Sequence, residues 1–119
     1  MAGNALQHLA DVEEIRIAFR RPNGSTGSTP IWVVLVGEDV FVRSVRGLRG
    51  GWYRRLLADP DGEVRDGGHA HPVRAEPVAD ERTLAEVTAA YTAKYGHSPY
   101  VQPLLEEANV PGTLRLQPR

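Results

Sequence analysis

An apolar hairpin in the first half of the chain constrains its fold more than any other feature. The run "IWVVLV", Ile31–Val36, is continuous and rich in β-branched residues, which is typical of a strand buried on both faces. Residues 37–39 form a short loop that contains Gly, and the return strand "VFVRSV" occupies Val40–Val45. The sequence therefore predicts a buried antiparallel pair of strands at the centre of the fold.

Further strands and helices are predicted on either side of this hairpin. Ile15, Ile17 and Phe19 alternate with Arg and Ala, so a half-buried strand is expected at residues 15–19. The other predicted strands are residues 63–66, 69–77 and 113–116, and the predicted helices are residues 52–58, 81–95 and 99–108. Short strands with helices late in the chain favour a small α+β barrel or a strongly curved sheet.

The ends of the two late helices carry specific signals. Asp80 can cap the N-terminus of the helix at residues 81–95, and Gly96 suits the position just after its last turn. Ser98 is expected to cap the following helix, with Pro99 at the first helical position.

Composition excludes several classes of function. The chain has no cysteine, which removes disulfides, thiolate metal sites and a cysteine nucleophile. Its 41% hydrophobic and 24% charged residues are typical of a globular protein, so residues 1–119 are expected to form one domain, with residues 1–12 as an N-terminal extension that can be helical. No apolar run approaches the roughly 20 residues that a membrane span requires, and a cytoplasmic protein is expected.

Basic residues are concentrated in one part of the chain. Residues 19–57 contain seven arginines and two acidic residues, although the net charge of the whole chain is −1. Such a local basic surface attracts phosphate or carboxylate groups, so an anionic small-molecule ligand is expected. The near-neutral net charge and the lack of interleaved exposed aromatic residues argue against nucleic-acid binding.

The glycine-rich segment after the hairpin is the strongest candidate for an anion site. Arg43 and Ser44 lie at the end of the strand, and Arg46 stands beside Gly47. Backbone amides of a glycine loop, together with guanidinium groups, can hold a phosphate or a carboxylate. The alternative is that Arg43 pairs with an acid on a neighbouring strand, such as Glu14.

Two aromatic residues begin the short helix that follows. Trp52 and Tyr53 can wall a pocket for a planar ligand, because aromatic faces stack on flat rings. They can also anchor the helix in the core, with Leu56 and Leu57 facing inward beside them, and for Trp52 this core role is favoured.

Two histidines lie on one predicted strand. His69 and His71 are two residues apart, so they share a face and could bind a metal together with Asp66 or Glu76. Pro72 instead favours a solvated edge strand, and no metal is expected.

Tyr91, Lys94 and Tyr95 share the end of one helix. A Tyr–Lys pair can act as acid and base if it is desolvated. The alternative is that Lys94 complements the helix C-terminus while the two tyrosines pack.

Five segments, taken together, resemble a known bacterial family. They are "TPIWVV", "VFVRSVRG", "GWYRRLL", "AAYTAKYG" and "TLRLQPR", in this order and at these spacings. From residue 14 to residue 119 the chain resembles domain-of-unknown-function family 2255, whose strand and loop order is similar to the split β-barrel group. The resemblance implies an α+β fold built on a six-stranded antiparallel split β-barrel, with a short helix after the third strand and two helices before the last strand.

The resemblance also implies a cofactor and a homodimer. In split barrels of this kind a loop before the second strand, the end of the third strand and a short Trp-Tyr helix bind the phosphate of FMN or a deazaflavin. Together with Arg43 from the anion site described above, the candidate cofactor-binding residues are Ser25, Thr26, Ser28, Thr29, Arg43, Ser44, Arg46, Trp52 and Tyr53. The loop at residues 23–29 contains no basic residue, so a chain without any cofactor stays an alternative.

Three functions are consistent with these features. The first is a flavin- or deazaflavin-dependent oxidoreductase acting on a small organic molecule. The second is a cofactor-free biosynthetic enzyme, such as a cyclase, isomerase or hydrolase, that uses the same cleft. The third is a non-catalytic ligand-binding module. The candidate catalytic residues are Tyr53, Tyr91, Lys94 and Tyr95.

Overall fold

The computed structural model describes residues 2–119, with side chains from Leu6 onward. The strands are β1 (Glu14–Arg20), β2 (Thr26–Val36), β3 (Asp39–Arg43), β4 (Asp61–Asp66), β5 (His69–Pro77) and β6 (Thr113–Pro118). The α-helices are α1 (Gly51–Ala58), α2 (Glu81–Tyr95) and α3 (Gln102–Leu105), and 3-10 helical segments cover Ala2–Asp11, Gly47–Arg49 and Glu107–Asn109.

The strands form a closed antiparallel barrel in the order β1-β2-β3-β6-β5-β4, closed by pairing of β1 with β4. The hairpin pairs as predicted, with Val33 opposite Val42. The predicted α+β fold is confirmed, since α1 follows the third strand and both α2 and α3 precede the last. Each of the six described strands is paired on both sides, so closure removes the strand edges that an open sheet would offer to another chain.

Alternation along β2 builds two separate apolar layers. Val33 points into the barrel and is fully buried there, whereas its neighbour Val34 points outward beneath α2. Leu6 and Leu9 of the first 3-10 segment are also fully buried inside the barrel. Residues 1–12 therefore include part of the core, although they were expected to be an extension.

Helix α2 covers the outer face of the hairpin. Asp80 caps it as predicted, since its carboxylate accepts a 2.9 Å hydrogen bond from the Thr83 amide. Val87, Tyr91 and Tyr95 recur at helical spacing and are buried against the outer layer. The prediction for α2 is confirmed from its first residue to its last.

The hairpin strands differ in length from the prediction. β2 begins at Thr26 rather than Ile31, because residues 26–30 pair with β1, from Thr26 opposite Arg20 onward. β3 ends at Arg43, two residues early, because the Ser44 amide donates to the carbonyl of Gly112 at 2.9 Å. The predicted loop at residues 23–29 is correspondingly shorter.

The last two helix ends also differ. Gly96 has a right-handed φ of −60°, so α2 ends without the left-handed residue that usually favours glycine there. Ser98 accepts a hydrogen bond from the Tyr100 amide, but this forms an isolated turn, and α3 begins only at Gln102. It ends at Leu105 because Glu106 has extended backbone angles.

Two further sequence predictions are wrong. Leu57 does not face inward, since its side chain is 46% exposed, whereas Tyr53 and Leu56 are buried. β5 is not an edge strand, because it pairs with both β4 and β6. Pro72 is tolerated there because the pairing with β6 begins one residue later, at Val73.

Within the described residues, no helix is long and apolar enough to cross a membrane.

Candidate functional site

A cavity of about 290 Å³ lies beside the outer face of the hairpin. Its walls come from β2 and β3, the start of α1 and the segment that leads into α3. The polar and aromatic lining residues are Glu14, Thr29, Trp32, Arg43, Ser44, Arg46, Trp52 and Tyr100, and Gly50 and Gly51 add backbone.

The turn from Ser44 to Gly51 shapes one wall of this cavity. Ser44 is buried, and its hydroxyl accepts a 3.1 Å hydrogen bond from the Arg46 amide. Gly47 has a φ of +57°, a left-handed conformation that favours glycine. A Cβ added at Gly50 would collide with the Ser44 hydroxyl, so this position needs glycine for close packing.

Arg46 is a free cation at the cavity. Its side chain is exposed, and no described residue forms a hydrogen bond or ion pair with its guanidinium. A guanidinium offers a planar fork of donors that matches a phosphate or a carboxylate. Arg46 can therefore bind an anionic group of a ligand in the cavity.

Three aromatic side chains supply flat surfaces. Trp32 stacks on Tyr95, with ring centroids 4.2 Å apart and planes 5° apart, and this contact fixes its ring. Trp52 is half-buried at the start of α1, with its ring edge-on to Tyr53 at 6.5 Å. Tyr100 is 77% exposed at the mouth of the cavity. Such surfaces are suited to a planar ring.

A second pocket, of about 470 Å³, continues from the cavity. The two share Thr29, Gly51 and Trp52, and the second is also lined by Arg21 and Arg55. A Cβ added at Gly51 would meet nothing within 4 Å. The backbone at the start of α1 is therefore open where the two spaces join.

Arg43 is part of the cavity wall, but its guanidinium is already bonded to protein groups. Its guanidinium is buried and donates to the hydroxyls of Thr113 and Thr88 at 2.8 Å each. It also donates to the carbonyls of Leu104 at 2.9 Å and Leu84 at 3.1 Å. Arg43 thus joins β3 to β6, α2 and α3.

The alternative pairing of Arg43 with an acid such as Glu14 is wrong, because all four acceptors are neutral. Burial lowers the pKa of the Arg43 guanidinium, while the nearby Tyr91 raises it. The buried positive charge adds to the field of Arg46 at this end of the barrel.

The hydroxyls of the two tyrosines in α2 form hydrogen bonds with backbone groups. The Tyr91 hydroxyl donates to the carbonyl of Trp32 at 2.9 Å and accepts from the Arg43 amide at 3.0 Å. The Tyr95 hydroxyl donates to the carbonyls of Glu13 and Val33. Burial raises the pKa of Tyr91, and it raises the pKa of Tyr95 to about 12. Neither hydroxyl lines the cavity.

Lys94 also has a structural contact. Its ammonium donates to the carbonyl of Leu9 at 3.0 Å and to that of Val33 at 2.7 Å, rather than to the end of α2. Burial lowers the pKa of Lys94, against the raising effect of Asp11 and Glu13. Lys94 therefore holds the N-terminal segment against the barrel.

The structure brings together only part of the predicted site. Thr29, Arg43, Ser44, Arg46 and Trp52 line the cavity, whereas Ser25, Thr26, Ser28, Tyr53, Tyr91, Lys94 and Tyr95 do not.

Four of the excluded residues have other contacts. Ser25 donates to Asn23 at 2.7 Å, and Ser28 accepts from Arg16 at 3.1 Å. Thr26 lines a separate small pocket. Tyr53 is only 4% exposed, and burial raises its pKa.

Sequence reasoning missed three of the polar and aromatic lining residues. Trp32 was treated as part of a buried strand, whereas it lies opposite Glu14 of β1, another lining residue. Tyr100 was placed in a predicted helix, where its exposure could not be foreseen. Glu14 entered only as a partner for Arg43, and it is the one carboxylate in the described lining of the cavity.

The model of the family of uncharacterized proteins conserved in bacteria, DUF2255, matches residues 5–116. The chain belongs to the DUF2255 family. The resemblance inferred from the sequence segments is therefore confirmed. No curated protein is recognisably similar to this DUF2255 chain in sequence.

Solved structures share the fold at low identity. The heme storage protein HutZ from Vibrio cholerae is 15% identical with a TM-score of 0.73, over 99% of this chain and 90% of that one. An F420-H2-dependent reductase, FDR-A, is 16% identical with a TM-score of 0.63, over 87% and 91%. An FAD-binding protein from Mesorhizobium loti is 14% identical with a TM-score of 0.63, over 99% and 88%.

Proposed function

We propose that the cavity beside Trp52 binds a planar cofactor of the flavin or deazaflavin class and that the protein is an oxidoreductase acting on a small organic molecule. The convergence of Trp32, Trp52 and the unpaired Arg46 on one cavity carries this proposal. Solved proteins of this fold with flavin or F420 in their names support it by analogy.

The residues present fit such a group. The cavity and the pocket that continues from it offer about 290 and 470 Å³, and they meet at the open backbone of Gly51. Trp52, beside that opening, would contact the ring, and Arg46 would bind an anionic side chain of the cofactor. When bound, the cofactor would supply hydride chemistry, while these residues bind and orient it.

Titration of the full chain with FMN and with a deazaflavin, followed by cofactor fluorescence, tests the proposal. Saturable binding of one of them at micromolar concentration is expected. Arg46→Gln should weaken binding about tenfold or more, because a charge-assisted hydrogen bond is lost. Arg49→Gln, which removes an exposed arginine outside the lining of the cavity, should leave the affinity unchanged.

Two results would count against the cofactor. One is the absence of binding by either compound at micromolar concentration. The other is equal affinity of the wild type and Arg46→Gln, which would place the compound elsewhere.

A non-catalytic binding module is the second candidate. The hydroxyls of Tyr91 and Tyr95 and the ammonium of Lys94 are bonded to backbone groups outside the cavity lining. This observation also removes support from a cofactor-free enzyme that relies on them as acid and base. A bound reduced cofactor that organic acceptors oxidise no faster than the free cofactor would favour the binding module.

We also propose that a second copy of the chain covers the mouth of the cavity. Val45 is 53% exposed, Leu48 is 55% exposed and Tyr100 is 77% exposed, which leaves apolar surface on and beside the cavity. Sedimentation equilibrium should show a dimer, and Leu48→Glu should dissociate it. Leu57→Glu is the matched control at an exposed leucine of α1, and a monomeric wild type would overturn the proposal.

A further inference from the structure

Three of the four histidines lie close together at one end of the barrel, and none of them lines the cavity. They are His8 in the N-terminal 3-10 segment and His69 and His71 in β5, and Asp66 of β4 lies among them. We propose that these three histidines bind a divalent transition metal ion such as zinc and that Asp66 orients His8. This site is independent of the proposed cofactor.

Strand register places the ligands on one face. His71 is paired with Val64, and His69 is paired with Asp66. The side chains of these four strand residues therefore lie on the same side of the β4–β5 pair. Val64 is fully buried in the barrel core. The side chains therefore lie on the inner face of the barrel, near the turn between β4 and β5. The N-terminal segment, which carries His8, packs against this end of the barrel.

Distances between the rings fit shared coordination. The centroids of His8 and His71 are 5.4 Å apart, and those of His69 and His71 are 6.4 Å apart. Two imidazoles on one tetrahedral zinc, with Zn–N bonds of about 2.0 Å, have ring centres about 5 Å apart. The first pair is already near that spacing, and the exposed His69 can reach it by side-chain rotation.

A buried atom without a partner points to a ligand. Nε2 of His71 is buried and has no hydrogen-bond partner among the described residues. Buried polar atoms are normally satisfied, and an unpartnered one calls for a specific explanation. A metal ion bound to this nitrogen would satisfy it.

Asp66 supplies the orientation of His8. Its carboxylate lies 2.8 Å from Nε2 of His8, which leaves Nδ1 of the same ring for a metal. A histidine ligand that holds a carboxylate through its other nitrogen is the usual arrangement at zinc sites. Glu76, the other acid considered from the sequence, instead accepts from Gln117 at 2.9 Å.

The ion would complete the arrangement of the ligands. As the side chains stand, the described residues contain no group of three or more His, Cys, Asp or Glu in position to hold a metal. Binding therefore requires side-chain rotation, for which the exposed His69 has room. The bound ion would link the N-terminal segment to the β4–β5 hairpin, and water would fill a fourth position.

Titration of the full, tag-free chain with zinc chloride by isothermal calorimetry tests the site. One zinc ion per chain is expected, with no heat from magnesium, because imidazole nitrogen suits zinc and not a hard cation. His69→Ala removes an exposed side chain, so it should leave the fold intact while lowering zinc affinity by about tenfold or more.

The fourth histidine provides the control. His97 is exposed just beyond α2, outside the cluster, so His97→Ala should bind zinc like the wild type. His71→Gln should also lose the rise in melting temperature that zinc gives the wild type. Absence of zinc binding, unchanged affinity in His69→Ala or lost affinity in His97→Ala would each overturn the proposal.

Discussion

At the scale of single residues, Arg43 has the most demanding environment. Its buried guanidinium is held by four neutral acceptors from β6, α2 and α3. Arg43→Met removes four hydrogen bonds that tie three elements together, so the free energy of unfolding should fall by about 3 kcal/mol. Urea unfolding followed by circular dichroism measures this loss. Arg46→Met, at an exposed arginine with no partner among the described residues, should change this free energy by less than about 0.5 kcal/mol. Equal loss in both variants would contradict the structural role of Arg43.

Tyr95 makes stability depend on alkaline pH. The pKa of its hydroxyl is raised to about 12 in the folded chain, and that of Tyr91 is raised too. A free tyrosine ionises near pH 10, so the unfolded chain loses these protons first. Stability should therefore be complete below about pH 10 and fall as the pH rises toward 12.

Urea midpoints at a series of alkaline pH values measure this fall. Tyr95→Phe removes one titrating hydroxyl, so its midpoint should decline less steeply with pH. Tyr100→Phe changes a side chain that is 77% exposed and should follow the wild-type curve. Parallel curves for wild type and Tyr95→Phe would refute the assignment.

At the scale of elements, the two adjacent glycines at the start of α1 have different roles. Gly50 allows close packing against Ser44, and Gly51 leaves open space beside the cavity. A Cβ at Gly50 collides with the Ser44 hydroxyl, whereas one at Gly51 meets nothing within 4 Å. Gly50→Ala should therefore destabilise the protein by about 1–3 kcal/mol, as overpacking does. Gly51→Ala should keep the wild-type melting temperature and still weaken cofactor binding, because it narrows the open backbone. A stable Gly50→Ala variant would show that the turn yields easily.

The same scale shows which elements could be predicted from sequence. α2 depends on nearby residues, the Asp80 cap and a helical repeat of buried side chains, and its bounds were predicted correctly. α3 depends on tertiary contacts. The carbonyl of Leu104 accepts a hydrogen bond from Arg43, far away in sequence, and the chain turns extended at Glu106. No pattern in the neighbouring sequence could therefore predict that α3 ends at Leu105.

At the scale of the whole molecule, long-range pairing determines the cavity. Its lining runs from Glu14 to Leu104, and the register of β1, β2 and β3 brings these residues together. Arg46, in the glycine-rich segment, could be identified because its neighbours in sequence form the turn, whereas a core role was favoured for Trp52. Trp32 and Tyr100 could not be identified, since their exposure to the cavity depends on which face of the barrel α2 covers.

The N-terminal segment is the clearest case of whole-molecule dependence. Leu6 and Leu9 are fully buried among the barrel residues, which makes this segment part of the core. Each Leu→Ala change in a core costs roughly 2–5 kcal/mol, and typical domains have only about 5–15 kcal/mol in total. The Leu6→Ala/Leu9→Ala double variant should therefore lose most of its cooperative urea transition. Leu57→Ala, at a leucine 46% exposed on α1, should retain it. If the double variant unfolds at the wild-type midpoint, the segment does not fill the barrel in solution. His8, the proposed zinc ligand within the segment, would then lose its fixed position as well.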